Sequence, residues 1–404
     1  MQYQYTKNHL LNSYTPLPIS FIKGNGVWLT DPNGNQYLDL IAGMGVTLLG
    51  HSHPEITEVI TNQAKNLLHL SNLVQIPEQA ELAKTLVDLT ELNINPQAQP
   101  IKMFFTNSGS EAIETAIKLT RLFANTKNIL DPKIIVINNG YHGRTVAALS
   151  ASSNPEFKQG FEPLLNSFIN LELNNIEQLN YLGSDNNSLK QNIVAILIEP
   201  IQGEGGVRIA THDFLIKIRE ICSKNQWLLI FDEIQTGLGR TGKPFCYQHY
   251  NIQPDVLTIA KGLANGIPIG ACIIKQPFAD LFKPKSHGST FGGNPLACAT
   301  AIKTLEILTK NKLWQQAHDL GEYFLNKLKH KLISDNILEI RGKGLMIGIE
   351  LKKSIPDLML LGLKQGLLFN VTRDKVIRLL PPLIIKQAEI DLAVDKLSLI
   401  FSKI

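Results

Sequence analysis

Short apolar runs that stop abruptly dominate the pattern of this chain. IIVI (residues 134–137), IVAILI (193–198), WLLIF (227–231) and VLTIA (256–260) have the length and β-branched content of strands buried on both faces. Stretches with helical three and four spacing alternate with them, which predicts an α/β protein on a largely parallel sheet. In such sheets the chemistry lies beyond the carboxyl ends of the strands. Three of the four runs lead directly into charged residues: Glu199, the pair Asp232 and Glu233, and Lys261. From about residue 294 the pattern changes to one long helical stretch over roughly residues 295–332, with Leu305, Leu308 and Leu313 on its apolar stripe. Strand-like IRGKGLMIGIEL and VIRLLPPLII follow, then an amphipathic terminal helix, so a separate C-terminal unit is expected. The Asn-rich residues 173–192 read as a polar surface excursion or a weak helix.

Composition narrows the class without naming a function. A chain of 404 residues with 44% hydrophobic content can bury a full-sized core, and by length it holds two or three structural units. Cys222, Cys246, Cys272 and Cys298 are scattered without CxxC spacing, which points away from a zinc site or a disulfide framework and towards a reducing compartment. The N-terminus is polar, and nowhere do about 18 apolar residues run uninterrupted, so a soluble cytoplasmic protein with no membrane partner is expected. A net charge of +4 with no basic block gives no footprint for nucleic acid.

Three segments carry candidate chemistry. In TNSGSEAIETAIKLTRLF (residues 106–123), Ser108, Gly109 and Ser110 precede a helix whose apolar face is Ile113, Ala116, Ile117 and Thr120, with Glu111 in its first turn. Free backbone N–H groups at such a helix start suit a phosphate, although capped starts of this composition are common. Asp232 ends a buried strand and must be paired there, either with a basic side chain of the core or with the protonated nitrogen of an aromatic cofactor. Lys261 ends the next strand, before a glycine-rich turn. Such a lysine is either a solvated side chain or one whose amine is freed by burial to bond a carbonyl.

The order acid, then lysine, on successive strand ends resembles the fold-type I pyridoxal-phosphate enzymes. The words DPNGNQYLDLIAGMGVTLLGHSHPEI, NSGSEA, GYHGRT, IEPIQGEGG, FDEIQTGLGRTG, AKGLANGIPIGA and HGSTFGGNPLACA are similar to the class III, or ω-amino acid, aminotransferases over nearly the whole chain. Within the family, YHGRTVAALSAS and NVTRDKVIRLLPPLII look most like the acetylornithine-type members.

The resemblance implies a large domain (56–294) with a mostly parallel seven-stranded sheet flanked by helices. A smaller α+β domain would be formed by residues 295–404, with residues 1–55 contributing to it. It implies pyridoxal 5'-phosphate as cofactor, with Gly109 and Ser110 on the phosphate and Tyr141 stacked on the ring, in a slot where the family often has Phe. Asp232 would hold the ring nitrogen, Gln235 would touch the phenolic oxygen, and Lys261 would be the attachment and proton-shuttling lysine. Thr290 would reach the phosphate in the neighbouring subunit, which implies a homodimer with shared active sites. Arg144 and Ser289 would bind the amine donor. Arg378 would bind a second carboxylate, with Glu204 covering it when the donor has none at that end. The implied substrates are acetylornithine and 2-oxoglutarate, the latter giving glutamate.

Ornithine, succinylornithine, succinyl-diaminopimelate and 4-aminobutyrate remain alternative donors, and a non-catalytic cofactor-binding regulator is a remote alternative. AGMGVTLLGHSHP favours the acetylornithine type, since ornithine enzymes tend to carry aromatic residues near Val46 and Thr47. His51 and His53 have the look of a metal pair, but their motif in this family carries none, and a structural turn is expected. Loop geometry is likewise expected to account for the glycines of residues 203–207 and 237–242.

Overall fold

The computed structural model describes residues 9–92 and 101–403. Its centre is a seven-stranded sheet built from β1 (Lys102–Thr106), β2 (Lys133–Ile137), β3 (Phe168–Leu171), β4 (Ile193–Ile198), β5 (Leu228–Asp232), β6 (Val256–Ile259) and β7 (Gly270–Ile274), in the spatial order β1-β7-β6-β5-β4-β2-β3. From β6 to β3 every pairing is parallel, and β7 alone runs antiparallel to both its neighbours. The four apolar runs of the sequence are β2, β4, β5 and β6, and all their strand residues are buried.

Helices cover both faces, which is why these strands lack alternation. Ile134 and Val136 join one apolar cluster with Ile113 and Ile117 of helix α1 (Gly109–Thr126), while Ile135 and Ile137 point into the main core on the other side. There the helix His212–Asn225 contributes Phe214, Leu215 and Ile218.

The C-terminal region adds a four-stranded antiparallel sheet of Ile337–Lys343, Met346–Leu351, Val376–Leu379 and Asn370–Thr372, followed by the helix Gln387–Phe401. The run IRGKGLMIGIEL folds as a hairpin that turns at Gly344, whose φ of +56° lies in the left-handed region that glycine enters without strain. Strand Leu367–Leu368 joins the N-terminal strands instead, pairing in parallel with Gln36–Asp39.

The expected single helix over residues 295–332 is two helices, Pro295–Lys310 and Leu313–Lys331. Lys312 adopts φ +50°, and one left-handed residue is enough to end a right-handed helix. The apolar stripe continues across the break because Leu305, Leu308 and Leu313 are all buried in the same core. Residues 173–192 contain one short α-helix, Ile176–Leu182, capped by the Asn175 side chain, and a 3-10 turn, Lys190–Asn192.

The segment holding His51 is built as a turn. Ala42, Gly43, Met44 and Gly45 all have positive φ, between 49° and 79°, and Asp39 Oδ1 accepts from the amides of Ile41 and Ala42 at 2.9 Å each. The other Asp39 oxygen lies 2.7 Å from His51 Nε2, and His53 precedes the helix Pro54–Asn66. Among the described residues no group of three or more His, Cys, Asp and Glu could hold a metal ion, and no helix is long and apolar enough to cross a membrane.

Candidate active site

The carboxyl ends of β1, β2, β4, β5 and β6 converge on a cavity of about 360 Å³, as the parallel topology requires. Asp232 is the last residue of β5, and Lys261 follows β6 in the short turn Lys261–Ala264. Both line the cavity, and so do Gly109, Ser110, Tyr141, Glu204 and Gln235. Lys261 itself has φ +43°, and the Gly262 beside it lies so close to Leu48 that a Cβ would sit 2.4 Å from Leu48 Cδ1. Burial pushes the Lys261 ammonium below its ordinary value; Glu204 opposes that shift, and Arg378 adds to it.

Asp232 is 4% exposed, and its carboxylate is already oriented by the protein. Oδ1 accepts from the amide of Ile234 at 3.1 Å, and Oδ2 lies 2.8 Å from Nδ1 of the buried His142. The amide of His142 donates to Ser152 Oγ at 2.9 Å, and His142 Nε2 has no protein partner. The partner of Asp232 is therefore a histidine, neither the Arg nor the Lys that a buried acid usually takes. His142 stands inside GYHGRT, between two expected site residues, but nothing in its spacing marks it as the mate of a residue 90 positions away.

Glu199, directly after β4, is a second group that sequence reasoning left out of the site. Its two oxygens accept from the amides of Tyr141 (2.7 Å) and Gly203 (2.9 Å), so one carboxyl ties together the loops carrying Tyr141 and Glu204. Burial pushes this carboxyl up to about 7; His142 pulls it down, and Asp232 adds to the rise.

At the start of α1, Ser108 caps the helix by accepting from the Glu111 amide at 3.3 Å. The amides of Gly109 and Ser110 belong to the first turn, where N–H groups have no intrahelical acceptor. A Cβ at residue 109 would lie 2.8 Å from Ile234 Cδ1, so only glycine lets this helix start close over the cavity wall.

Beyond the cavity wall sits Arg378, fully buried on strand Val376–Leu379. Its guanidinium donates to Glu204 Oε1 at 2.7 Å, Gln235 Oε1 at 3.2 Å, Asn370 Oδ1 at 3.2 Å and Met44 Sδ at 3.4 Å. Arg144, by contrast, is exposed, and its guanidinium lies 3.8 Å over the ring of Phe157 and 5.6 Å from that of Tyr141.

Two further expected residues, like Arg378 and Arg144, do not line this cavity. Ser289 lines a separate groove of about 890 Å³ with Phe105 and His287, and its Oγ accepts from Asn107 Nδ2 at 3.2 Å. Asn107 also lines the cavity, so Ser289 stands one residue behind the wall, and Thr290 is exposed. The glycines of residues 203–207 and 237–242 do serve loop geometry: a Cβ at Gly203 would meet Gln235 Oε1 at 2.2 Å, and Gly239 and Gly242 have φ of +91° and +98°.

Pyridoxal phosphate fits this donor set. Open N–H groups at a helix start suit the phosphate, an oriented carboxylate suits a protonated ring nitrogen, and a lysine with lowered basicity suits bonding to a carbonyl carbon. The cavity is also largely apolar on its sides, through Val46, Ile201, Ile234 and Ile267, as a planar ring requires.

A model of the family described as aminotransferase class-III matches residues 10–401. The acetylornithine aminotransferase of Nitrosomonas europaea is 44% identical to this chain over 97% of each protein. That of Aquifex aeolicus is 45% identical, covering 96% of this chain and 98% of its own. Among solved structures, the ornithine aminotransferase of Toxoplasma gondii superposes with a TM-score of 0.91 at 33% identity, covering 98% of this chain and 93% of that one.

Proposed function

The chain belongs to the class-III aminotransferases, and from that premise we propose that it moves the terminal amine of N2-acetyl-L-ornithine to 2-oxoglutarate, giving N-acetyl-L-glutamate 5-semialdehyde and L-glutamate. The observation that carries this reading is that Lys261 and Asp232, on the ends of neighbouring strands, line one cavity beside the Arg378–Glu204 pair. Relatives 44% and 45% identical over nearly their whole length bear the acetylornithine name, which supports the choice of donor.

Pyridoxal phosphate, when bound, supplies an electron sink for the pair released as a C–H bond at the amine-bearing carbon breaks. The amides of Gly109 and Ser110 would hold its phosphate, Tyr141 would lie against its ring, Asp232 would pair with its ring nitrogen and Gln235 with its phenolic oxygen. Lys261 would be its point of attachment between turnovers. During turnover Lys261 Nζ, made less basic by burial, removes the proton from the δ carbon of acetylornithine as a general base.

Arg144 takes the α-carboxylate of acetylornithine, and Ser289 contacts the donor. Glu204 neutralises Arg378 while that donor is bound, because the δ end carries no carboxylate. When 2-oxoglutarate enters, Glu204 withdraws and Arg378 grips the α-carboxylate, so one pocket serves both half-reactions. Val46, on the cavity wall, is small enough to leave room for an acylated nitrogen. Thr290 completes the phosphate site of a second copy, making the active unit a homodimer, and the protein works in the cytoplasm.

Steady-state kinetics with 2-oxoglutarate and each of acetylornithine, ornithine, succinylornithine, succinyl-diaminopimelate and 4-aminobutyrate test the reading. The highest kcat/KM should belong to acetylornithine. A higher value for any of the others would replace the substrate assignment.

A further inference from the structure

Arg144 has an unusual support for a residue meant to grip an anion. Among the described residues no acid pairs with it; the face of Phe157 at 3.8 Å holds it instead, joined by Tyr141, whose ring lies 5.6 Å away and whose side chain hydrogen-bonds with it. The two rings brace each other edge to face, with centroids 6.0 Å apart and planes at 87°. Tyr141 is part of the cavity wall, so the bracket links that wall to the guanidinium.

Phe157 is not a loose surface ring. It is half-buried in the short turn Pro155–Lys158, which the Asn154 side chain closes by accepting from the Glu156 amide at 3.1 Å. Lys158 Nζ anchors the same turn by donating to the carbonyl of Ser150 at 3.1 Å, within the helix Val146–Ala151. At its other end, the Arg144 backbone amide donates to Ser110 Oγ at 3.2 Å.

A guanidinium stacked on a ring keeps its in-plane N–H groups and its whole charge available, whereas an acid partner would consume both. The shelf also removes rotamer freedom from a long exposed side chain before any ligand arrives, which lowers the ordering cost of binding. We propose that Phe157 is a specificity-determining positioning residue: it holds Arg144 at the cavity mouth in the orientation that receives the donor's carboxylate. It thereby favours carboxylate-bearing terminal amines over plain alkylamines. This rests on the assignment of Arg144 as the donor-carboxylate arginine made above.

The test compares holoenzymes of wild type, Phe157→Leu and Phe157→Tyr with acetylornithine and with pentan-1-amine, which has no carboxylate. Steady-state KM and kcat are measured for the first, and single-turnover loss of the visible cofactor band for both. Leucine keeps the apolar bulk and removes the π face. KM for acetylornithine should rise about threefold to tenfold in Phe157→Leu, with kcat within about twofold of wild type. The pentan-1-amine rate and the resting spectrum should not change, and Phe157→Tyr should restore KM.

An unchanged or lowered KM in Phe157→Leu, an equal loss on both donors, or failure of tyrosine to rescue overturns the proposal. The substrate assignment fails separately, on wild type alone. If wild type prefers another carboxylate-bearing terminal amine, that donor replaces acetylornithine in the same comparison.

Discussion

Nδ1 of His142 lies 2.8 Å from Oδ2 of Asp232, and both side chains are buried at the bottom of the cavity. One carboxylate oxygen is thus held by the imidazole, and the other is steadied by the Ile234 amide. The acid that faces the cofactor ring in our reading is oriented before any ligand binds. A hydrogen bond to a charged group is worth about 1.5–3 kcal/mol, so His142→Leu should lower kcat by about 10-fold to 100-fold. The variant should still bind pyridoxal phosphate through Lys261, and absorbance titration together with steady-state kinetics separates the two effects.

Lys261→Ala should lose both turnover and the visible absorption band of the attached cofactor. A variant that kept either would remove Lys261 from the role assigned to it. Its fold should remain, since no hydrogen bond of the structure depends on the Lys261 side chain among the described residues, and far-ultraviolet circular dichroism checks that.

Glu204→Gln removes the acid that sits 2.7 Å from Arg378. With Arg378 uncovered, glutamate should become the better donor and acetylornithine the worse. The ratio of their half-reaction rates should shift by about tenfold, the worth of roughly one hydrogen bond to a charged group. Stopped-flow measurement of each half-reaction reads this directly.

Thr290 should act across the dimer. Thr290→Ala is expected to weaken cofactor affinity by about tenfold, the worth of roughly one hydrogen bond to a charged group. Mixing it with Lys261→Ala, after dissociation and reassociation, should regain activity at limiting cofactor, because each mixed dimer contains one site with both native residues. No recovery would argue that each subunit builds its own site alone.

The contribution of two buried carboxyls to stability should fall with rising pH through the weakly acidic range, against an opposing rise from His249, whose imidazole is held down at about 4 by burial. Burial pushes the Glu199 and Glu233 carboxyls from 4.5 up to about 7. Between those values the native chain holds protons that the unfolded chain has released, so their contribution to stability is fully present below about pH 4.5, is lost as pH rises towards 7, and is flat above it. Each group can contribute at most about 1.4 kcal/mol per pH unit. Glu233 accepts from the amides of Cys246 and Tyr247, and Glu233→Gln should roughly halve the carboxyls' dependence, leaving the Glu199 share. Urea midpoints at pH 5, 6, 7 and 8 for wild type and variant provide the comparison.

The features legible in the sequence are those whose cause is local. A strand covered on both faces must be apolar throughout, so β2, β4, β5 and β6 announced themselves, and a charged residue directly after such a run has to emerge at its end, as Asp232 and Lys261 do. The Ser108 cap of α1 was legible for the same reason, because donor and acceptor lie three residues apart. Lys312 was not: its left-handed backbone belongs to a residue type that usually stays in the helix, and the apolar stripe runs straight across it. The IRGKGLMIGIEL run read as one strand because period-two patterning does not say where a hairpin folds back.

From its sequence alone, this protein was committed to a mostly parallel sheet with an acid and a lysine at neighbouring strand ends, because burial and capping act over a few residues. Only the tertiary structure decided that His142 would steady Asp232, that Glu204 would close on Arg378 and that Phe157 would carry Arg144. It also left Ser289 and Thr290, like Arg144 and Arg378, off the wall of the cavity that the other expected residues line. Each of these depends on how separate elements dock, and docking brings together charges and rings whose positions along the chain carry no common period.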